Sequence, residues 1–260
     1  SGWEFTLNGK VLSTKDFTWT SSINLTVPKT LLTDYPKQDL LSDYYSLRVG
    51  KPLGILFVYH YLGVDPATGV YQFADKNGNP TTTPNDPDDK TEQINISPKF
   101  YGGFQNTFIF KGFQLDVLFS FTKQLGANYL LGNGVLPPGY FQFGLNNQLA
   151  KALNRWQKPG DTAPFQRFSS GFDLFTSQDN AFNSDMVWTD ASYIRLKNVS
   201  LTWQFPRDWS KGMNLRDCGL FIQGQNLLTL TSYNGLDPET KSSTTLPPLR
   251  VITLGVKIGL

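Results

Sequence analysis

The sequence of 260 residues is poor in the side chains that most often carry chemistry, with one histidine, one cysteine and two methionines. A single cysteine, Cys218, excludes an intramolecular disulfide and a cysteine-based zinc cage. A single histidine, His60, excludes paired-histidine metal sites and leaves one residue for any nucleophile–base pair. Charge is scarce too. Charged residues make up 17%, and 23 Lys+Arg against 21 Asp+Glu give a net charge of +2, without the basic excess that binds nucleic acid. No run approaches the length of apolar sequence that a membrane-spanning helix needs. No nucleophile elbow, phosphate loop or metal-histidine motif is present. Paired carboxylates such as Asp88-Asp89 lie in a Pro/Asn/Asp-rich stretch with no scaffold to hold them across a substrate. These absences argue against an enzyme and against a bound cofactor.

What the chain has in abundance is aromatic residues, 20 Phe, 11 Tyr and 6 Trp, set in strict alternation with polar ones. Trp3, Phe5, Leu7 and Val11 share one parity, with Glu4, Thr6, Asn8 and Lys10 on the other. The same period of two runs through Phe17–Val27, Phe100–Phe110, Phe113–Phe121 and Ile252–Leu260, which predicts long strands. Lys111-Gly112 predicts a tight turn between two of them. In 190–205 the apolar parity changes between Leu196 and Val199, which predicts a bulge near Lys197-Asn198, since one extra residue reverses the facing. Residues 44–64 are ambiguous because Gly50-Lys51-Pro52-Leu53-Gly54 interrupts them. Counting that segment, about eight strands are expected.

Between the strands, 65–98, 124–187 and 230–247 are long and largely unpatterned, and they leave the same end of the expected sheet. A short helix is expected within 145–157. The turns at 111–112 and 206–218 leave the other end, and the linker 28–43 falls with them although it is not short. Alternation alone suits either a soluble β-sandwich, whose apolar face packs on a second sheet, or a barrel, whose apolar face meets lipid. Strands of about 11 residues, aromatics near strand ends and long loops at one end favour the barrel. Its inward residues, among them Thr6, Asn8, Ser22, Asn24, Gln105 and Thr107, are too small to fill a closed eight-stranded interior and suit a wide wet lumen. An open sheet edge cannot stand in hydrocarbon, so further strands outside this chain are expected. The chain opens directly in alternation, without a start methionine or leader, and is expected to be a piece of a longer protein.

Several motifs resemble the late barrel of SusC/RagA-type TonB-linked outer-membrane proteins. They are Gly50-Lys51-Pro52-Leu53-Gly54 with Tyr59–Val64, Pro98–Phe104 with Lys111-Gly112-Phe113, and Asp190–Leu201. Gly224–Thr229, Tyr233–Glu239 and Pro247-Pro248-Leu249-Arg250 continue the series. The resemblance implies an all-β fold in which residues 1–260 are a C-terminal segment of an antiparallel transmembrane barrel of about 22 strands, without plug domain or signal peptide. It implies import of oligosaccharides or peptides across the outer membrane of a Gram-negative bacterium. A SusD-like surface lipoprotein would close the extracellular mouth, and TonB would act through a plug domain absent from this chain. The end at Leu260 departs from the aromatic residue common in such barrels. The rival readings are a soluble glycan-binding β-sandwich and an ungated diffusion porin.

Four residues are candidates for ligand contact: Tyr140, Trp156 and Trp188 as stacking faces and Arg167 for a carboxylate or polar group. The competing reading is that these rings bury the long loop against its neighbours. Arg195 and Lys197 either line the lumen or form an internal ion pair. Asp75-Lys76-Asn77-Gly78-Asn79, with Asp86 at the twelfth position, has the outline of a calcium loop. Pro80 stands where glycine is needed, so a solvated turn is the plainer reading and no metal is predicted. Cys218 is expected to pack, and His60 to be a pore-wall or interfacial aromatic.

Overall fold

The structure is a computed structural model that describes residues 1–35, 47–128, 150–169, 171–212, 215–242 and 245–259. It begins with two long strands, β1 (Gly2–Ser13) and β2 (Phe17–Pro28). Five short strands follow: β3 (Ile55–Val58), β4 (Tyr61–Val64), β5 (Tyr71–Ala74), β6 (Pro80–Thr81) and β7 (Glu92–Asn95). The long hairpin of β8 (Phe100–Phe110) and β9 (Phe113–Lys123) comes next, then the short β10 (Leu125–Ala127), helix α1 (Phe175–Phe182) and β11 (Trp188–Asp190). The chain closes with β12 (Tyr193–Gln204), helix α2 (Arg207–Gly212), β13 (Asp217–Thr231) and β14 (Val251–Gly259).

The long strands form one antiparallel sheet of seven, in the order β1-β2-β8-β9-β12-β13-β14. The register turns the sequence alternation into two faces. One row of facing residues reads Leu7, Ile23, Phe104, Phe119, Leu196 and Leu228, and the adjoining row reads Thr6, Asn24, Gly103, Ser120, Arg195 and Thr229. Among the described residues no second sheet covers the apolar face. Ile252 and Leu254 are 72% and 78% exposed, and Trp3, Leu7 and Leu230 are open as well. A soluble sandwich would bury these side chains, because apolar burial is what holds two sheets together. The outer edges of β1 and β14 have no partner among the described residues.

Local chemistry sets the details of the sheet. Lys111 and Gly112 both have positive φ, 46° and 86°, the conformation a two-residue hairpin requires and glycine adopts at least cost. The register of β12 shifts between Leu196 and Asn198 against both neighbours: against β9 Lys197 is the inserted residue, so the apolar parity passes from Leu196 to Val199, while β13 sets two residues, Asn226 and Leu227, against it. A second shift, between Lys10 and Leu12, lies in β1. It places Leu12, not Val11, opposite Trp19, a correction to the uniform alternation read in that strand.

The segment 44–64 makes no long strand of this sheet. β2 pairs directly with β8, so the sheet has no strand from the described residues between them, and the long strands among the described residues number seven. The interruption at Gly50–Gly54 leaves β3 and β4 at four residues each, well short of the nine or so that a crossing strand needs. With that segment removed, the chain leaves β2 at the long-loop end, and the turns at 14–16, 111–112 and 205–216 share the other. All long excursions therefore gather at one end. There they build the one hydrophobic cluster of the described residues: Tyr59, Tyr71, Phe73 and Ala181, with Tyr61, Val64 and Met186 packed against it. In the stretch read as a short helix, a 3-10 turn spans Ala150–Asn154, and 145–149 lie outside the described residues.

At the turn end, Phe113 stacks on Trp203 at 5.4 Å, and Phe205 and Trp209 pack on Trp203 at 4.8 and 6.0 Å. Trp19 and Phe108 stack at 5.6 Å. These rings form the aromatic belt expected at strand ends.

Candidate functional site

Two surfaces carry polar groups in concentration, the polar face of the sheet and the loop assembly above it. On the polar face, side chains bond mainly to one another. Asp116 on β9 accepts from Thr107 at 2.6 Å and from Gln114 at 2.8 Å. Gln223 donates to Asn198 at 2.9 Å, and Asn24 accepts the Gly103 amide at 2.6 Å. A shallow depression of about 430 Å³ opens among Asn8, Lys10, Thr20, Ser22, Gln105 and Thr107. This wall is wettable.

At the loop end of this face, Arg195 is 1% exposed. Its guanidinium bonds the Asp237 carboxylate, and it reaches Glu239 at 2.6 Å and the Thr229 hydroxyl at 3.0 Å. Lys197, the residue inserted at the bulge, holds the other side of Glu239 at 3.0 Å. Asp237 also accepts the amides of Glu239 and Thr240. Of the two readings for Arg195 and Lys197, the structure has the internal ion pair, and it staples the β13–β14 connection over the polar wall. Gln124 donates to the Pro238 carbonyl at 2.8 Å and Tyr233 to that of Ala127 at 2.6 Å, holding the same connection from the β9–β10 side.

The long excursions are clasped to each other at His60. Its Nδ1 lies 2.6 Å from Asp185, whose other oxygen accepts the Tyr61 amide at 2.9 Å. The Tyr59 amide donates to the Asn183 carbonyl and the Asp185 amide to that of Tyr59, both at 2.9 Å. The hydrogen bond to Asp185 raises the His60 pKa above its ordinary value, against a smaller opposing effect of burial. His60 thus joins two loops, with its ring still half-exposed. Burial pushes the Tyr61 phenol up to about 12. Lys123 pairs with Asp190 at 2.7 Å and draws that carboxyl down to about 2.

Of the four candidate ligand contacts, Trp156 and Arg167 come together, and both meet Gly69. Trp156 is 9% exposed; its indole donates to the Pro66 carbonyl at 3.0 Å, and its ring lies where a Cβ on Gly69 would sit. The Arg167 amide donates to the Gly69 carbonyl at 2.7 Å, and its guanidinium pairs with Asp173 at 2.6 Å. Trp188 stands apart, half-buried on β11 opposite Ala127. Tyr140 lies outside the described residues. Asp75 accepts the amides of Asn77 and Asn79 at 2.8 Å each, which hold its carboxyl below the usual range. Asp86 pairs instead with Lys90 at 3.0 Å. Among the described residues no group of three potential metal ligands gathers. Cys218 is buried.

Sequence reasoning did not assign roles to Asp185, Asp237 or Glu239. The spacing Asp237-x-Glu239, two residues apart as Arg195 and Lys197 are, is the one signal in the sequence that the four charges meet.

No protein-family model matches the sequence. Curated relatives do. Over 300 aligned positions the chain is 26% identical to "TonB-dependent receptor P3" of Formosa agariphila, covering 99% of this chain and 28% of that protein. It is 26% identical to "TonB-dependent receptor SusC" of Bacteroides thetaiotaomicron over 262, covering 93% of this chain and 24% of that protein. Among solved structures, the RagAB peptide importer in its "open-open" state superposes with a TM-score of 0.79 at 20% identity, over 100% of this chain and 28% of that one. The "closed-closed" state gives 0.75 at 22%, over 99% and 29%. The chain therefore spans about a quarter of the length of the relatives it matches.

Its class is an antiparallel all-β sheet of the kind found in the RagAB importer. Within that class it is similar in sequence to the SusC-type TonB-dependent receptors along nearly its whole length.

Proposed function

We propose that residues 1–260 are a C-terminal part of the barrel of an importer of oligosaccharides or peptides, forming passage wall and extracellular rim. The observation that carries this reading is the pairing of an uncovered apolar face with a polar face built from the same strands. Such a sheet fits where one side meets hydrocarbon and the other water. The gathering of the long excursions at one end makes that end extracellular. The two free edges call for neighbouring strands, because each unpaired amide or carbonyl in hydrocarbon costs several kcal/mol. A barrel of about 22 strands supplies them and leaves a lumen wide enough for an oligomer. The names of the relatives support a TonB-linked transport cycle and, through RagAB, a SusD-like lipoprotein over the mouth. The chain acts without chemistry of its own, and the whole receptor supplies the plug.

Uptake by cells carrying the complete gene tests this. Uptake of a labelled oligosaccharide or peptide mixture is expected to stop on deletion of the gene and on collapse of the proton gradient. Uptake that survives collapse of the gradient identifies a diffusion porin instead.

A further inference from the structure

The geometry points to a carboxylate-binding subsite between the stapled β13–β14 connection and the polar wall, built on Arg250. The inference rests on the importer reading and adds a chemical feature of the cargo. A cavity of about 280 Å³ lies there, lined by Arg195, Asn226, Thr229, Arg250 and the prolines Pro238 and Pro247, among others. Arg195 and Arg250 face it against one acid, Asp237. Asp237 is already committed to Arg195 and to two backbone amides. Arg250 pairs with no carboxylate among the described residues. At the mouth of the cavity Arg250, exposed to solvent, therefore carries a positive charge that no carboxylate among the described residues pairs.

The surroundings place that charge for a ligand. Asn226, turned by a positive φ of 53°, donates to the Leu249 carbonyl at 3.1 Å and so anchors the residue before Arg250. Thr229 accepts from the Arg195 Nε at 3.0 Å, which leaves its hydroxyl hydrogen to donate to a guest. Guanidinium presents a planar pair of donors that matches a carboxylate's two oxygens. The proline rings supply an apolar wall beside it. A volume near the lower end of ligand pockets takes one terminal unit of an oligomer, not its whole length. Two cargo chemistries offer such a unit: the C-terminus of a peptide and an acidic sugar.

Calorimetric titration of the full-length receptor in detergent tests the subsite with trialanine, its C-terminal amide, trigalacturonate and maltotriose. At least one of the two acids is expected to bind more tightly than its neutral counterpart, and the one that does so names the source. Arg250→Gln is expected to weaken that acid about tenfold or more, and to leave the neutral probe unchanged. Arg250→Lys, with the charge but not the fork, is expected to fall between. Failure of both acids to bind, equal binding of acids and neutral probes, or indifference to Arg250→Gln overturns the subsite. If gradient-dependent uptake by wild-type cells persists alongside any of those results, the subsite alone is overturned. If that uptake is missing, the importer reading falls with it.

Discussion

At the scale of single residues, the decisive groups are the buried charges that tie loops down. Arg195 spends its donors on Asp237, Glu239 and Thr229 in a site 1% open to solvent. A buried ion cluster of this kind adds little net stability over apolar packing, but removing one partner strands the others unpaired. It therefore acts as a latch with a defined position. The His60–Asp185 clasp is different because it can titrate. With its pKa raised above the ordinary 6.5 by the Asp185 hydrogen bond, protonated His60 stabilises the docked loops fully below that value. The contribution is lost as pH rises through the raised pKa. Amide-exchange protection at Tyr59 and Asp185, corrected for intrinsic rates, is expected to hold below pH 6.5 and to fall over an interval above it. His60→Gln is expected to flatten that profile. A wild-type profile already flat over the same interval contradicts the assignment.

At the scale of the strand, the two faces make opposite demands. Phe119 lies on the apolar side of β9, between Phe104 and Leu196. Phe119→Arg is expected to cost about 2–4 kcal/mol, as for an arginine on the lipid face near mid-membrane, and to lower the fraction of heat-resistant folded protein in the outer membrane. Ser200 faces the other way, directly opposite Asp116 on β9. Ser200→Arg has a carboxylate to meet, so assembly is expected to proceed while the passage narrows and uptake falls. Ser120 is the poorer probe for this purpose, because it sits opposite Arg195. Equal assembly defects from the two substitutions contradict the facing. The same alternation that foretold these faces missed one detail. The β1 bulge exchanges Leu12 for Val11, and since both are apolar, parity had nothing to detect. In β12 the bulge was readable, because the flanking apolar residues change parity around Lys197.

At the scale of the molecule, the chain separates its two kinds of burial. Its water-excluding core lies in the loop assembly around Tyr71 and Phe73, both 0% exposed, while the large sheet leaves its apolar side uncovered. An apolar face and two strand edges without a partner among the described residues favour association in plain buffer. Expressed alone without detergent, residues 1–260 are expected to elute from size exclusion as aggregate. A monodisperse monomer there would mean that the apolar face is covered by some means other than lipid.

The sequence by itself determined the long strands, their facing, the 111–112 hairpin, the bulge at Lys197 and the crowding of loops at one end. Each depends on local spacing, because a period of two and a glycine with positive φ are properties of neighbouring residues. The resemblance to SusC/RagA-type proteins was legible too, from motifs spread along the chain. Only the tertiary structure decided that residues 44–64 stay out of the large sheet and that His60 meets Asp185 across 125 positions. It also decided that Trp156 turns inward on Gly69 and that Arg195 closes on Asp237. Those outcomes depend on which loop docks on which, and that choice is made by packing between segments distant in sequence, where no local period carries a signal.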